Sequence, residues 1–207
     1  MKFCSSLSIA SPAAVILAAG ASTRLGRAKQ LEAFNGTTLL EQAVATTRAA
    51  GCETVVVVLG SRAEIIGATL AGQNLIIEIN RQWPIGMGGS IRCGVRAVLR
   101  RRPDAASVLL LPCDQPYCTA ADLRKLLDAV AAGHAIAASG YSGTRGTPAC
   151  FAPSQWPSLL AIDFSTGAKK LLHDPSAVLI DMPAAAFDVD TPDDAAKLKR
   201  MTAETQR

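Results

Sequence analysis

The sequence predicts an α/β fold of three layers, with helices on both faces of a mainly parallel sheet. Three observations carry that expectation. Short runs of β-branched and aliphatic residues alternate with longer stretches of helical periodicity, the pattern of right-handed βαβ crossovers. The length of 207 residues suits one domain, and no repeat, low-complexity tract or linker divides residues 13–207. Apolar residues make up 49% of the chain and aromatics only 4%, so the core must be built from Ala, Val, Leu and Ile.

The elements follow in order. Val15-Ile16-Leu17-Ala18 is an apolar run that breaks at Gly20 into a loop. A helix is predicted over 38–50, stopped by Gly51. Residues 54–60 form a continuous β-branched run, as expected of a strand covered on both faces. A helix over 63–71, a strand over 75–80, a helix over 90–101 and a buried strand over 107–111 come next. Residues 119–132 are amphipathic, with Leu123, Leu126, Leu127 and Val130 on one stripe. A short strand ends at Asp190, and a closing helix starts near Pro192.

The beginning of the chain resembles a secretory signal, with Lys2 followed by a largely apolar stretch. Ser5, Ser6, Ser8, Ser11 and Pro12 interrupt it, and cleavage near Ala19 would destroy the loop described next. Residues 1–12 are therefore expected to be a disordered lead-in. No run reaches the ~20 apolar residues of a membrane span. The net charge of +4 suits an anionic small molecule and is too dispersed for nucleic acid. Arg100-Arg101-Arg102 closes a predicted helix, where the dipole favours cations. Six cysteines without a C-x-x-C pair, beside two histidines, do not make a zinc site. Scattered thiols in apolar neighbourhoods fit a reducing, cytoplasmic setting.

The loop after the first strand carries Gly20 and Gly26 with Arg24, Arg27 and Lys29. Glycines let backbone N–H groups close on a phosphate, and the cations neutralise it. The spacing is neither Gly-x-x-x-x-Gly-Lys-Ser/Thr nor Gly-x-Gly-x-x-Gly. Spacing alone therefore leaves open an ordinary βα turn with surface cations, while the missing dinucleotide fingerprint argues against a dehydrogenase.

Ligands of open α/β sheets lie beyond the carboxyl ends of the strands, and each unusual segment falls at such an end. In residues 80–91, Gly86, Gly88 and Gly89 can fold closely around a flat group, and Ser90 can cap the next helix. Asp114 follows a buried strand between Pro112 and Pro116, and Thr119 is better placed than it to cap the following helix. That frees Asp114 as a Mg²⁺ ligand. Arg145-Gly146-Thr147-Pro148 is a glycine turn leading into a short strand. Residues 165–172 offer a helix start with Lys169, or simply a surface helix. Asp193 and Asp194 read as dipole partners behind Pro192, leaving Asp190 ahead of the helix.

Leu17-Ala18-Ala19-Gly20-x-Ser22-x-Arg24-x-Gly26-x-x-Lys29 resembles the signature loop of nucleotidyltransferases with the glycosyltransferase-A-like fold. Within them the chain most resembles the molybdenum cofactor cytidylyltransferase group of MobA-like NTP transferases, through five motifs in the same order. The resemblance implies that Leu17, Ala18, Ala19, Gly20, Arg24 and Lys29 bind the nucleotide, with Gly88, Gly89 and Ser90 holding the base. It implies Asp114 and Asp190 as Mg²⁺ ligands, with Asp188 in reserve, and Arg24, Lys29 and Asp114 as the catalytic set. Arg145, Gly146, Thr147 and Lys169 would meet the acceptor. Thr147 stands where many members carry His, and Cys113 where a smaller residue is usual.

Ala19 stands where guanine-using relatives carry Gly, which favours CTP. A molybdopterin-type acceptor is then implied, with a client molybdoenzyme or its chaperone receiving the product. Two alternatives stay open. One is an enzyme of the same fold that uses GTP or acts on a sugar or alditol phosphate. The other is a non-catalytic nucleotide-binding or cofactor-delivery protein.

Overall fold

The computed structural model describes residues 10–205. Most of the expected lead-in, residues 1–9, lies outside the described residues. Residues 10–12, also placed in it, are tied to the domain, because Ala106 N donates to Ser11 O at 3.1 Å.

The first strand, β1 (Ala13–Ala18), is buried along its whole length. After the loop, β2 (Ala33–Phe34) and β3 (Thr37–Thr38) make a small hairpin that leads into α1 (Leu39–Ala49). Thr38 and Glu41 close a reciprocal capping box at its start. Next come β4 (Thr54–Leu59), α2 (Ala63–Thr69), β5 (Ile76–Ile79) and α3 (Met87–Arg101). The predicted start of α3 at Ser90 is three residues late. Gly86 occupies the cap position, so Ser90 lies inside the helix and caps nothing. Then follow β6 (Val108–Pro112) and α4 (Ala120–Ala131), the latter capped by Thr119 with Asp122 as the sequence suggested.

Beyond α4, the hairpin strand β7 (Ile136–Tyr141) is joined to β8 (Thr144–Phe151) by Ser142 and Gly143, both at positive φ. The short strand expected after Gly146 is therefore the eight-residue β8. The chain continues through α5 (Trp156–Leu160), α6 (Lys169–Leu172), β9 (Val178–Asp181) and α7 (Pro192–Thr205). The strand expected to end at Asp190 does not form, and residues 187–190 pair with no strand.

The seven-stranded sheet has the order β5-β4-β1-β6-β8-β7-β9. Only β8 runs against its neighbours. Side-chain alternation splits the core into two layers. Ala14, Ile16, Val57 and Leu109 pack with Leu40 and Leu123 on one face, and Val15, Val58 and Leu110 pack with Ile91 and Val95 on the other. A third cluster joins Leu25 of the glycine loop and Phe34 to Val189, Ala195 and Leu198 near the end of the chain. This cluster brings the closing segment to the first loop. Among the described residues no helix is long and apolar enough to cross a membrane.

Candidate active site

The glycine loop holds its own shape. Gly26 N donates to Ser22 O at 3.0 Å, and Lys29 N donates to Ser22 Oγ at 3.2 Å. Ser22 takes the left-handed backbone, with φ 55°, to make both contacts possible. Gln30, overlooked in the sequence, is the staple. Its side chain is 1% exposed, and its Nε2 donates to Ala18 O at 2.8 Å and Gly20 O at 3.0 Å. The turn after β1 is thereby locked to the following single turn of 3₁₀ helix. The place of a glutamine directly after Lys29 was its only signal in the sequence.

The closing segment delivers the second carboxylate. Val189 is fully buried and its N–H donates to Asp114 O at 3.0 Å, which sets Asp188 and Asp190 on either side of it. Asp190 Oδ1 then lies 2.7 Å from Lys29 Nζ, and Asp190 Oδ2 lies 2.6 Å from Arg24 Nη2. Lys29 Nζ also pairs with Asp114 Oδ2. Four residues that the sequence named separately thus form one chain, Asp114–Lys29–Asp190–Arg24. Burial alone would discourage the Lys29 charge, but the Asp114 and Asp190 carboxylates outweigh it and hold the ammonium well above its usual range. Lys29 is a permanent cation there. Partial loss of hydration, then the Asp114 charge, pushes Asp188 up to about 6.

A cleft of about 320 Å³ opens beside this chain. Leu17, Ala19, Gly20, Lys29, Gly86, Ser90 and Asp114, all singled out in the sequence, line it, together with Trp83, Pro84 and Met87, to which the sequence reading gave no role. Trp83 is seated by Gly60, where a Cβ would come within 2.7 Å of both Trp83 Cβ and Ala19 O. The start of α3 faces the cleft without a side-chain cap and with no acidic residue in its first turn, so its free N–H groups can meet an anion. Ser90 Oγ accepts from Asn80 Nδ2 at 3.0 Å, a second buried residue the sequence passed over.

Other expected residues lie elsewhere. Ala18 packs into the core and offers only its carbonyl to Gln30. Gly88 and Gly89 are buried in the first turn of α3, behind the cleft wall. What demands glycine at both is the turn at residues 163–166. A Cβ on Gly88 would lie 1.9 Å from Asp163 O, and one on Gly89 would lie 2.8 Å from Phe164 Cδ1. Arg145 donates to Asp174 O at 3.4 Å. Gly146 is packed under the Tyr141 ring. Thr147 stays off the cleft lining, and its carbonyl accepts from Nε2 of Gln115, the residue after Asp114, at 3.1 Å. Lys169 is exposed at the start of α6, which runs only from Lys169 to Leu172 and supplies little dipole for a phosphate. The structure does not bring these four to the cleft lining.

Asp114 and Asp190 suit a hard cation. Asp114 is 7% exposed, and its Oδ1 is buried without a hydrogen-bond partner. Among the described residues no group of three or more His, Cys, Asp or Glu could hold a metal. Two carboxylates that share a cation with phosphate oxygens and water are a Mg²⁺ arrangement.

The model of the MobA-like NTP transferase domain matches residues 14–178. The chain belongs to the MobA-like NTP transferase family. Among curated relatives, a nicotine blue oxidoreductase from Paenarthrobacter nicotinovorans is 36% identical over 62% of this chain and 61% of its own length. A molybdenum cofactor guanylyltransferase from Xanthomonas euvesicatoria pv. vesicatoria is 36% identical over 55% of this chain and 52% of its own. The match thus spans between half and two thirds of these relatives. Among solved structures, Rv0371c from Mycobacterium tuberculosis H37Rv superimposes with a TM-score of 0.80 at 28% identity, covering 92% of this chain and 98% of that one. Rv0371c has also been crystallised as a complex with manganese.

Proposed function

We propose that this MobA-like NTP transferase moves a nucleoside monophosphate, CMP from CTP, onto a phosphate-bearing acceptor of molybdopterin type. An acceptor phosphate oxygen attacks the α-phosphorus, the bond from that phosphorus to the β-phosphate oxygen breaks, and pyrophosphate leaves. Such transfers need alignment and charge neutralisation more than a protein nucleophile. The observation that carries the reading is the convergence at one cleft of the glycine loop, the uncapped start of α3 and the Asp114–Lys29–Asp190–Arg24 chain.

Lys29 and Arg24 exchange their carboxylate partners for the triphosphate and hold it in line. Gly20 lets the backbone approach the phosphates. Asp114 and Asp190 would hold Mg²⁺. When bound, that ion supplies charge neutralisation at the phosphate oxygens. The manganese complex of Rv0371c supports a divalent cation.

CTP follows from Ala19, which is 7% exposed and lines the cleft, so its methyl takes space from a purine. The guanylyltransferase relative favours GTP as a second reading. Pyrophosphate release from the purified protein with Mg²⁺ and molybdenum-loaded molybdopterin decides between them. Release with CTP is expected, and Ala19→Gly should shift preference toward GTP. Release by the unaltered chain with GTP alone would reject the Ala19 argument, and no release with any triphosphate would reject nucleotidyl transfer to this acceptor.

Gly20→Ala gives a cleaner probe of phosphate contact. Its backbone is outside the left-handed region, and a Cβ there meets nothing within 4 Å. Unfolding should therefore be unchanged, while kcat/KM for the triphosphate falls on the order of a hundredfold because the phosphates can no longer seat on the loop. Unchanged kinetics would remove the loop from phosphate binding.

A further inference from the structure

A second groove, of about 420 Å³, runs along the outer side of α3 and is separate from the cleft. Its wall is a row of arginines. Arg92, Arg96 and Arg100 repeat every four residues, and Arg81 faces them from the segment after β5. At the helical rise this places cations about 6 Å apart over about 12 Å. Arg100 forms an ion pair with Glu78, and the Asp163 carboxylate lies within electrostatic reach of Arg92 without pairing with it. Among the described residues no acid forms an ion pair with Arg81, Arg92 or Arg96.

A solvated helix face ordinarily mixes both signs of charge. The stretch from Met87 to Arg101 contains no Asp or Glu at all. Arg92 is a further departure. Its guanidinium carbon lies 4.3 Å from the centroid of the Phe164 ring, Nη1 donates to Ile162 O at 3.4 Å, and Nε is buried without any partner. A buried, fixed N–H donor lacking an acceptor is uncommon in folded proteins and is satisfied when a ligand brings one. Asn80, whose side chain also contacts Ser90 at the cleft, forms the near end of the groove.

We propose that this groove is a second anion site that binds the polyphosphate chain of a phosphorylated small molecule. Guanidinium forks match phosphate oxygens in pairs. The groove's volume suits a ligand of nucleotide size. Phe164 lines the same groove, with its ring under the Arg92 guanidinium. This site does not depend on nucleotidyl transfer at the cleft.

Inorganic tripolyphosphate titrated calorimetrically into the metal-free full chain tests the site. Arg81→Gln/Arg96→Gln removes two exposed guanidiniums and should leave thermal unfolding unchanged. Made in the Arg24→Ala/Lys29→Ala background, which removes the cleft's own triphosphate contacts, it should lower the affinity for tripolyphosphate about a hundredfold, roughly tenfold per charged contact. The Arg24→Ala/Lys29→Ala variant should keep this binding. ATP in place of tripolyphosphate identifies the source: equal affinity assigns the groove to a polyphosphate chain alone, and tighter binding to a nucleotide. Binding by Arg24→Ala/Lys29→Ala that survives the added Arg81→Gln/Arg96→Gln, or binding that disappears with Arg24→Ala/Lys29→Ala alone, would overturn the proposal. Capture of an eight-residue glutamate peptide with no affinity for tripolyphosphate would overturn it too, in favour of an acidic protein segment.

Discussion

Asp114→Asn is expected to cut pyrophosphate release on the order of a thousandfold while the protein stays folded. The substitution keeps the shape of the side chain and removes the charge. Asp114 Oδ2 now pairs with Lys29, and its buried Oδ1 has no partner, so the site holds a carboxylate oxygen in reserve at the cleft wall. Asparagine turns one of these acceptors into an N–H donor, so the side chain can no longer offer one oxygen to Lys29 and another to a divalent cation. Lys29 retains Asp190 at 2.7 Å, so its buried charge is not left alone. The measurement is initial rate against Mg²⁺ concentration, with thermal unfolding as the control for folding. Retained activity with an unchanged Mg²⁺ dependence would show that Asp114 holds no catalytic metal.

Gly88→Ala is expected to destabilise the chain by about 1–3 kcal/mol or more, the range for overpacking a close-packed interior. For a domain of this size that lowers the melting temperature by several degrees, on the order of 5 °C. The added methyl would meet Asp163 O at 1.9 Å and Thr166 O at 2.6 Å, and both are backbone atoms. The turn carrying them is pinned, since Ser165 N donates to Asp163 Oδ1 at 2.8 Å and Thr166 N to Asp163 O at 3.2 Å. Neither side has a rotamer to give up, so the start of α3 must shift. Met87 and Ser90 on that turn line the cleft, and activity should fall along with stability. Gly146 makes a useful contrast. Its Cβ would meet the Tyr141 hydroxyl at 2.1 Å, the far end of a side chain that can rotate away. A Gly88→Ala protein that melts like the parent would mean the turn at 163–166 is not packed as described.

Much of the architecture up to α4 could be read from the chain itself. Residues 54–60 are β-branched without interruption, and 119–132 carry a regular leucine stripe, so period and turn chemistry fixed their type and order. The signature loop and Asp114 were legible for the same reason, because both sit directly after strands whose apolar runs announce them. The later strands were not. Ile136–Tyr141 reads Ile-Ala-Ala-Ser-Gly-Tyr, with little intrinsic strand preference, and it is a strand because β8 and β9 flank it.

The sequence alone determined the α/β class, the family resemblance, the glycine loop after the first strand and the position of Asp114, all of which depend on residues close together in the chain. The tertiary structure alone decided the placement of Asp190. Lys29 and Asp190 are 161 residues apart, and no local period can say that burial of Val189 against Leu25 and Phe34 brings them together. It also decided that Gly88 answers to a backbone carbonyl 75 positions away, and that Gln30 ties the loop to the end of β1. Local pattern sets which elements form, whereas long-range packing sets which side chains meet.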